Sequence, residues 1–426
     1  MLKKSLTIAA GSALMLLAIA ETSLAVTFQV IADNLDSPRG LTFGPDGALY
    51  VTEAGRGGTG PCIPAPGGGT DVVCYGATGA ITRIQNNTVQ RITTGLPSIA
   101  LPFEPLNITI DATGIHDLQF DSSGKAYAIF GLGSSPEQRD QVLNISEFGQ
   151  LVALDNLNSQ VSLTPLADLA EYEALFNPDD IGSGFFNPYN NGIDSNPYAF
   201  LIQGDTAYIV DAAGNDFFAA KLDGSELNLL SILPERTVID PLTGNTIALQ
   251  SVPTSVTIGP DGAFYIAEFT GFPYPENQAR IFRIDSNNQV EIYAEGFTQI
   301  IDLAFDAQGG LYVLEFASKS LFSEFSLGDL IYIDPNGNRT SILSDVLNTP
   351  TALEIAPNGD IYISNQGYVP GQGQVLRVSV NEAPSTPEST PLWGLLSIGI
   401  LGSISQLLPL KKKKRNLKYL DIIILK

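Results

Sequence analysis

Hydrophobic and polar positions alternate in short runs through the middle of the chain, and one phrase recurs there six times: Leu41–Glu53, Leu118–Phe130, Phe200–Asp211, Val256–Glu268, Leu303–Glu315 and Leu353–Asn365. In each, an alternating strand such as the one carrying Leu41 and Phe43 meets a turn of the Pro-Asp-Gly kind, whose glycine can take the left-handed conformation. A second strand then returns through an aromatic anchor: Tyr50, Tyr127, Tyr208, Tyr265, Tyr312 or Tyr362. A third strand follows a loop of variable length, as at Ala80–Ile84 or Arg280–Ile284, and most repeats add a fourth, as at Thr88–Ile92. Four antiparallel strands repeated six times predict an all-β fold, a six-bladed β-propeller over residues 26–380, in which radial packing hides the sheet edges.

The sixth repeat has no fourth strand after Val378, while a spare one, Thr27–Ala32, stands ahead of the first repeat. The expectation is that this N-terminal strand closes the last blade. Apolar residues recur at helical spacing over Pro165–Phe176 and predict a short helix, and the Asn/Gly/Pro-rich stretch 177–196 predicts a long surface loop.

The ends read differently from the middle. Residues 1–25 combine Lys3 and Lys4, an apolar run and the small-residue ending Ser23-Leu24-Ala25, the pattern of a signal peptide cleaved after Ala25. At the other end a Pro/Ser/Thr-rich linker, 381–391, leads to an apolar segment, 392–410, just long enough to span a bilayer, and then to a basic tail, 411–426, that should stay cytoplasmic. This places the propeller in the periplasm, outer envelope or extracellular space, with the membrane reached only through the C-terminal helix. The 426 residues hold 22 basic and 45 acidic side chains, a net charge of −23. The ends hold nine of the basic residues and three of the acidic ones, so residues 26–384 keep 13 and 42, a net of −29. Such a surface repels a phosphate backbone, and nucleic acid is excluded as a partner.

In a propeller the first strand of each blade lines the central channel, and the loops at one of its ends are where function collects. On this mapping Arg39, His116 with Asp117, and Tyr198 reach one channel mouth. His116 beside Asp117 could act as a general base, with Arg39 as a third catalytic candidate, or it could be a hydrogen-bonded channel residue. Arg39, His116 and Tyr198, with Phe272 and Tyr274 from an aromatic excursion, form a candidate ligand surface. A second excursion carries Phe322 and Phe325, and these rings could equally pack over their neighbours. Glu53, Asp211, Glu268, Glu315 and Asn365 occupy equivalent positions at the ends of second strands. Together they could ring a hard cation, calcium by ligand type, or each could cap its own loop. Cys62 and Cys74 sit in a Gly/Pro-rich excursion and are expected to form one disulfide in an oxidising compartment, with a reactive thiol pair as the alternative.

Ser37-Pro-Arg-Gly-Leu41, the loop from Gly60-Pro-Cys62 to Val73-Cys-Tyr-Gly76, Glu171-Tyr-Glu-Ala174 with Asn177-Pro-Asp179, and Ser195-Asn-Pro-Tyr198 with Val210–Asp216 resemble the ScyD/ScyE family, which is similar to NHL-repeat propellers. The tail, with Pro387-Glu388 ahead of the apolar segment, resembles a PEP-CTERM sorting signal, although Ser389 stands where a second proline is usual. The resemblance implies an exported six-bladed propeller without established catalysis. The leading expectation built on it is a monomeric, non-catalytic envelope propeller that binds a small molecule, glycan or envelope protein, in association with scytonemin-type pigment or extracellular matrix. The alternative on the same fold is a calcium-dependent lactonase-like hydrolase or a quinoprotein-like sugar oxidoreductase.

Overall fold

The computed structural model describes residues 24–66, 71–103, 106–157, 160–180, 193–323 and 326–382. The export segment, the apolar segment and the basic tail lie outside them. The recurrent phrase is a hairpin whose turn is locked by its own acid. Oδ1 of Asp121 accepts the N–H groups of Ser123 and Lys125 (2.8 and 3.0 Å), and Oδ1 of Asp306 accepts those of Gln308 and Gly310 (2.9 and 2.7 Å). The glycine closing each turn sits at positive φ, 84° at both Gly124 and Gly309, where a side chain would be strained. The anchor tyrosine then reaches back: the hydroxyls of Tyr50 and Tyr127 donate to Asp46 and Asp121 at 3.2 Å each. Turn acid and anchor form one bracket in blades 1, 2 and 4, while in blade 5 Tyr332 of the third strand donates to the turn acid Asp306 instead (3.0 Å).

Each repeat supplies an antiparallel sheet of four strands. Blade 2, for example, orders Ile115–Phe120, Ala126–Phe130, Gln150–Asp155 and Ser162–Asp168 from its inner strand outward. Blade 1 is larger, with the added strands Cys62–Pro64 and Ile108–Thr113, and a separate hairpin, Arg236–Ile239 with Thr246–Leu249, follows blade 3. The core is distributed between the blades. Phe130 packs with Ile81 and Leu96 between blades 1 and 2, Phe200 with Leu151 and Phe218 between blades 2 and 3, and Leu314 with Ile361 and Leu376 between blades 5 and 6.

Two expectations need correction here. No sheet of the molecule closes on itself; the last blade is an open sheet like the others, ordered Ala352–Ile355, Ile361–Asn365, Gly373–Glu382 and Leu24–Leu35. The N-terminal strand is its outer edge, pairing antiparallel from Leu24↔Glu382 to Leu35↔Gly373, so it is longer than Thr27–Ala32 and starts ahead of the expected cleavage point. The expected helix is also shorter: Ser162–Asp168 is the outer strand of blade 2, and Leu169–Phe176 is the helix. The side chain of Asp168 accepts the Glu171 N–H and so starts the helix four residues later than the apolar spacing suggested. Most of the long loop after it lies outside the described residues. Cys62 and Cys74 face each other across paired strands and form the disulfide.

Candidate active site

The inner strands of the six blades contact one another in order around a ring, the first against the sixth. They enclose a cavity of about 200 Å³. Near the start of these strands the pairing slips by a bulge, between Pro38 and Leu41, Ile115 and Asp117, Pro197 and Ala199, Pro253 and Ser255, and Ile300 and Asp302. A bulge leaves a residue unpaired and re-aims its side chain. Arg39, His116, Tyr198, Thr254 and Ile301 sit in these bulges, and all line the cavity.

Just past the bulge the register is the same in every case: Asp117 opposes Ile129, Ala199 opposes Val210, Ser255 opposes Ala267 and Asp302 opposes Leu314. Asp117 and Asp302 are thus equivalent residues of blades 2 and 5, which stand opposite in a ring of six. Their carboxyls are held alike. Asp117 accepts the N–H of Leu118 (2.8 Å) and, from the next blade, that of Phe200 (3.1 Å). Asp302 accepts the N–H of Leu303 (2.8 Å) and, from the next blade, that of Leu353 (2.7 Å), together with the Ser255 hydroxyl (2.6 Å). Glu354 enters the same cavity from blade 6.

Burial, opposed by these N–H bonds and reinforced by Asp302, pushes Asp117 up to about 7. Burial likewise lifts Asp302 to about 6, and burial followed by the charges of Asp302 and Asp117 lifts Glu354 to about 8. Asp117 and Glu354 both feel the Asp302 charge, so the protonation of these carboxyls is linked. His116 is the reverse case: burial and then the Arg39 charge lower it to about 3, so the ring is neutral. Its Nδ1 lies 3.0 Å from the Pro197 carbonyl, which can only accept, so Nδ1 carries the proton and Nε2 keeps its lone pair. The ring also leans on Tyr198, with centroids 5.0 Å apart.

Arg39, 7% exposed, donates only to carbonyls, those of Gly367 (2.8 Å), Ala112 (2.6 Å) and Pro38 (3.3 Å). Among the described residues it has no carboxylate in ion-pair contact, so its charge is available to the cavity mouth. The backbone N–H of Asp111, itself exposed, donates to the Tyr368 carbonyl (3.0 Å) on the same rim. Of the expected ligand surface, Arg39, His116 and Tyr198 come together at the cavity. Phe272 and Tyr274 instead stack on Phe322 at 5.2 and 5.7 Å, as a half-buried cluster beside it, and Phe325 lies outside the described residues.

The five second-strand residues are engaged locally. Glu53, Asp211, Glu315 and Asn365 accept the backbone N–H of Asp36, Asn196, Thr298 and Asn348 at 2.6, 2.6, 2.7 and 2.8 Å, each tying down its own incoming loop. Glu268 takes the Ser251 hydroxyl (3.2 Å) and pairs with Arg236 and Arg280. Among the described residues no three His, Cys, Asp or Glu side chains gather closely enough to hold a metal. Asp302 and Glu354 are the site residues that sequence reasoning missed. The repeats held the signal, since Asp302 stands immediately before its phrase as Asp117 does before its own.

No family model matches the chain, and no curated protein matches it. Solved structures are similar at low identity: a gluconolactonase from Xanthomonas campestris (10% identity, 85% of this chain and 99% of that one, TM-score 0.41), virginiamycin B lyase from Staphylococcus aureus (11%, 84% and 99%, 0.43) and the PQQ-bound aldose sugar dehydrogenase of Streptomyces coelicolor (13%, 85% and 99%, 0.46). The ScyD/ScyE assignment and the expectation of a non-catalytic binding propeller are not supported by these comparisons: no family model matches, and the similar propellers are named as a gluconolactonase, a lyase and a sugar dehydrogenase. At such scores the likeness carries no chemistry to this chain, which has to come from the cavity itself.

Proposed function

We propose that this protein is a hydrolase that opens a small uncharged ester or lactone in its central cavity. The observation that supports this reading is the pair Asp117 and Asp302, equivalent residues of opposite blades, with Glu354 beside them and all three poised near neutral pH. A carboxyl group that is neither fully ionised nor fully protonated at working pH is suited to moving protons in both directions. An ionised member takes a proton from water as that water attacks the carbonyl carbon. A protonated member returns a proton to the alkoxide that leaves. The Arg39 guanidinium, bound only to carbonyl oxygens, stabilises the charge that develops on the carbonyl oxygen. A lactone gives a hydroxy acid anion and an ester a carboxylate with its alcohol; the carboxylates repel either anion and the cation at the mouth attracts it, so chemistry and release run in the same direction.

The export reading is kept as part of this proposal and is supported by the Cys62–Cys74 disulfide, which suits an oxidising compartment. Among the described residues no helix is long and apolar enough to cross a membrane.

The test is proton release from a panel of neutral lactones and esters, followed at constant pH. Asp117→Asn and Asp302→Asn should each lower kcat by about 10²–10⁴-fold, the usual worth of a positioned acid or base, while circular dichroism stays unchanged. Absence of turnover on every member of the panel, or equal turnover by Asp117→Asn and the parent, would remove the proposal.

A further inference from the structure

The rim of blade 3 carries two buried carboxylates that the cavity does not use. Glu173, on the helix Leu169–Phe176, is 2% exposed, and Asp216, the first residue of the strand Asp216–Lys221, is 0% exposed. All four of their carboxylate oxygens lack a hydrogen-bond partner. Burying even one ionised carboxylate without a partner is costly, and among the described residues neither is answered by an ion pair.

The two are neighbours. A Cβ built on Gly214 would lie 3.2 Å from Oε2 of Glu173 and 3.2 Å from Oδ2 of Asp216, so both groups point at the space that the missing side chain leaves. Asn177 adds a third orphan: its N–H donates to the Glu173 carbonyl (2.8 Å) where the helix ends, and its own Oδ1 is buried without a donor. This is also the helix C-terminus, whose carbonyls favour positive charge. The surrounding acids are already committed. Asp211 accepts from Ser195, Asn196, Ala213 and Gly214, and Oδ2 of Asp179 accepts from Asn215.

We propose that Glu173 and Asp216, with Oδ1 of Asn177, bind a hard divalent cation, calcium by their all-oxygen chemistry. Water or backbone carbonyls complete the shell. The cation links the helix that follows blade 2 to the turn Ala212–Asn215 of blade 3. It thereby fixes the start of the long connection between the two blades. The site is separate from the central cavity and lies beside the capping residue of blade 3, Asp211, whose oxygens are already taken by its own loop.

The experiment uses the full chain stripped of metal with a chelator, titrated calorimetrically with calcium chloride and melted with and without calcium. One bound calcium per chain and a rise of several degrees in melting temperature are expected, with Glu173→Gln and Asp216→Asn each weakening binding at least tenfold. Glu315→Gln should bind as the parent does; loss of binding in that variant instead would transfer the site to the capping ring and overturn this proposal. If the site variants do not fold, terbium luminescence sensitised by Tyr172 on the parent chain, reversed by calcium, carries the test. Lack of any calcium response in the parent up to about 1 mM, the weak end for calcium modules, also overturns it.

Discussion

Replacing Glu354 by Gln removes one charge from the cavity while keeping its shape, and its effect on stability has a sign fixed by pH. An unfolded Glu ionises near 4.5, whereas in the folded cavity burial, then Asp302 and Asp117, delay ionisation to about 8. Below the lower value both states hold the proton and the charge has no effect. Between the two values the unfolded chain gives up its proton while the folded one retains it, so the folded state loses ground steadily as pH rises. Above 8 the loss is complete. At 1.36 kcal/mol per pH unit the interval corresponds to a ceiling of about 5 kcal/mol, from which the packing cost of a buried amide is subtracted in the variant. Glu354→Gln should therefore unfold together with the parent at pH 4 and be more stable by about 2–5 kcal/mol at pH 9. The assay is guanidinium denaturation across that range, comparing midpoints at equal slope. A parent and variant with equal midpoints at pH 9, or a gap that is already as large at pH 4, would refute the electrostatic account of the cavity.

Two further substitutions test the framework around it. A Cβ on Gly40 would stand 2.5 Å from Oδ1 of Asp117 and 2.9 Å from the His116 carbonyl, so Gly40→Ala must move the Asp117 carboxyl. A loss of about 1–3 kcal/mol in thermal denaturation is expected from overpacking, with a larger proportional fall in kcat than in substrate affinity. Glu268→Ala leaves the Arg236 and Arg280 guanidinium groups without their buried partner, which should cost about 3–5 kcal/mol in chemical denaturation; a loss below about 1 kcal/mol would show that water replaces the carboxylate there.

The hairpins were legible because their information is local. A turn acid, a glycine and an anchor tyrosine lie within a few residues, and the bonds they make are short-range. Glu53 and its equivalents were located correctly but their role was open, since the same carboxylate can ligate or cap. What decides is a backbone N–H 17 residues upstream for Glu53, Glu315 and Asn365, and 15 for Asp211. Asp302 escaped notice because it lies one position before Leu303, where that repeat was taken to begin, and alternation alone marks Glu354 as just another polar position. Glu173 and Asp216 meet only because the helix returns over the next blade. No spacing along the chain encodes that contact.

The capping residue at the end of each second strand has a consequence for how this protein can vary. Because Glu53, Asp211, Glu315 and Asn365 fasten the incoming loop to the strand, the strand end is held whatever the length of the segment that leaves the same point. Its length runs from four residues between Asp211 and Asp216 to 13 between Glu315 and Asp329, with the blades otherwise alike. Foreign peptides grafted after these positions should be accepted without refitting the sheets, which makes this rim the natural place to reshape what reaches the cavity.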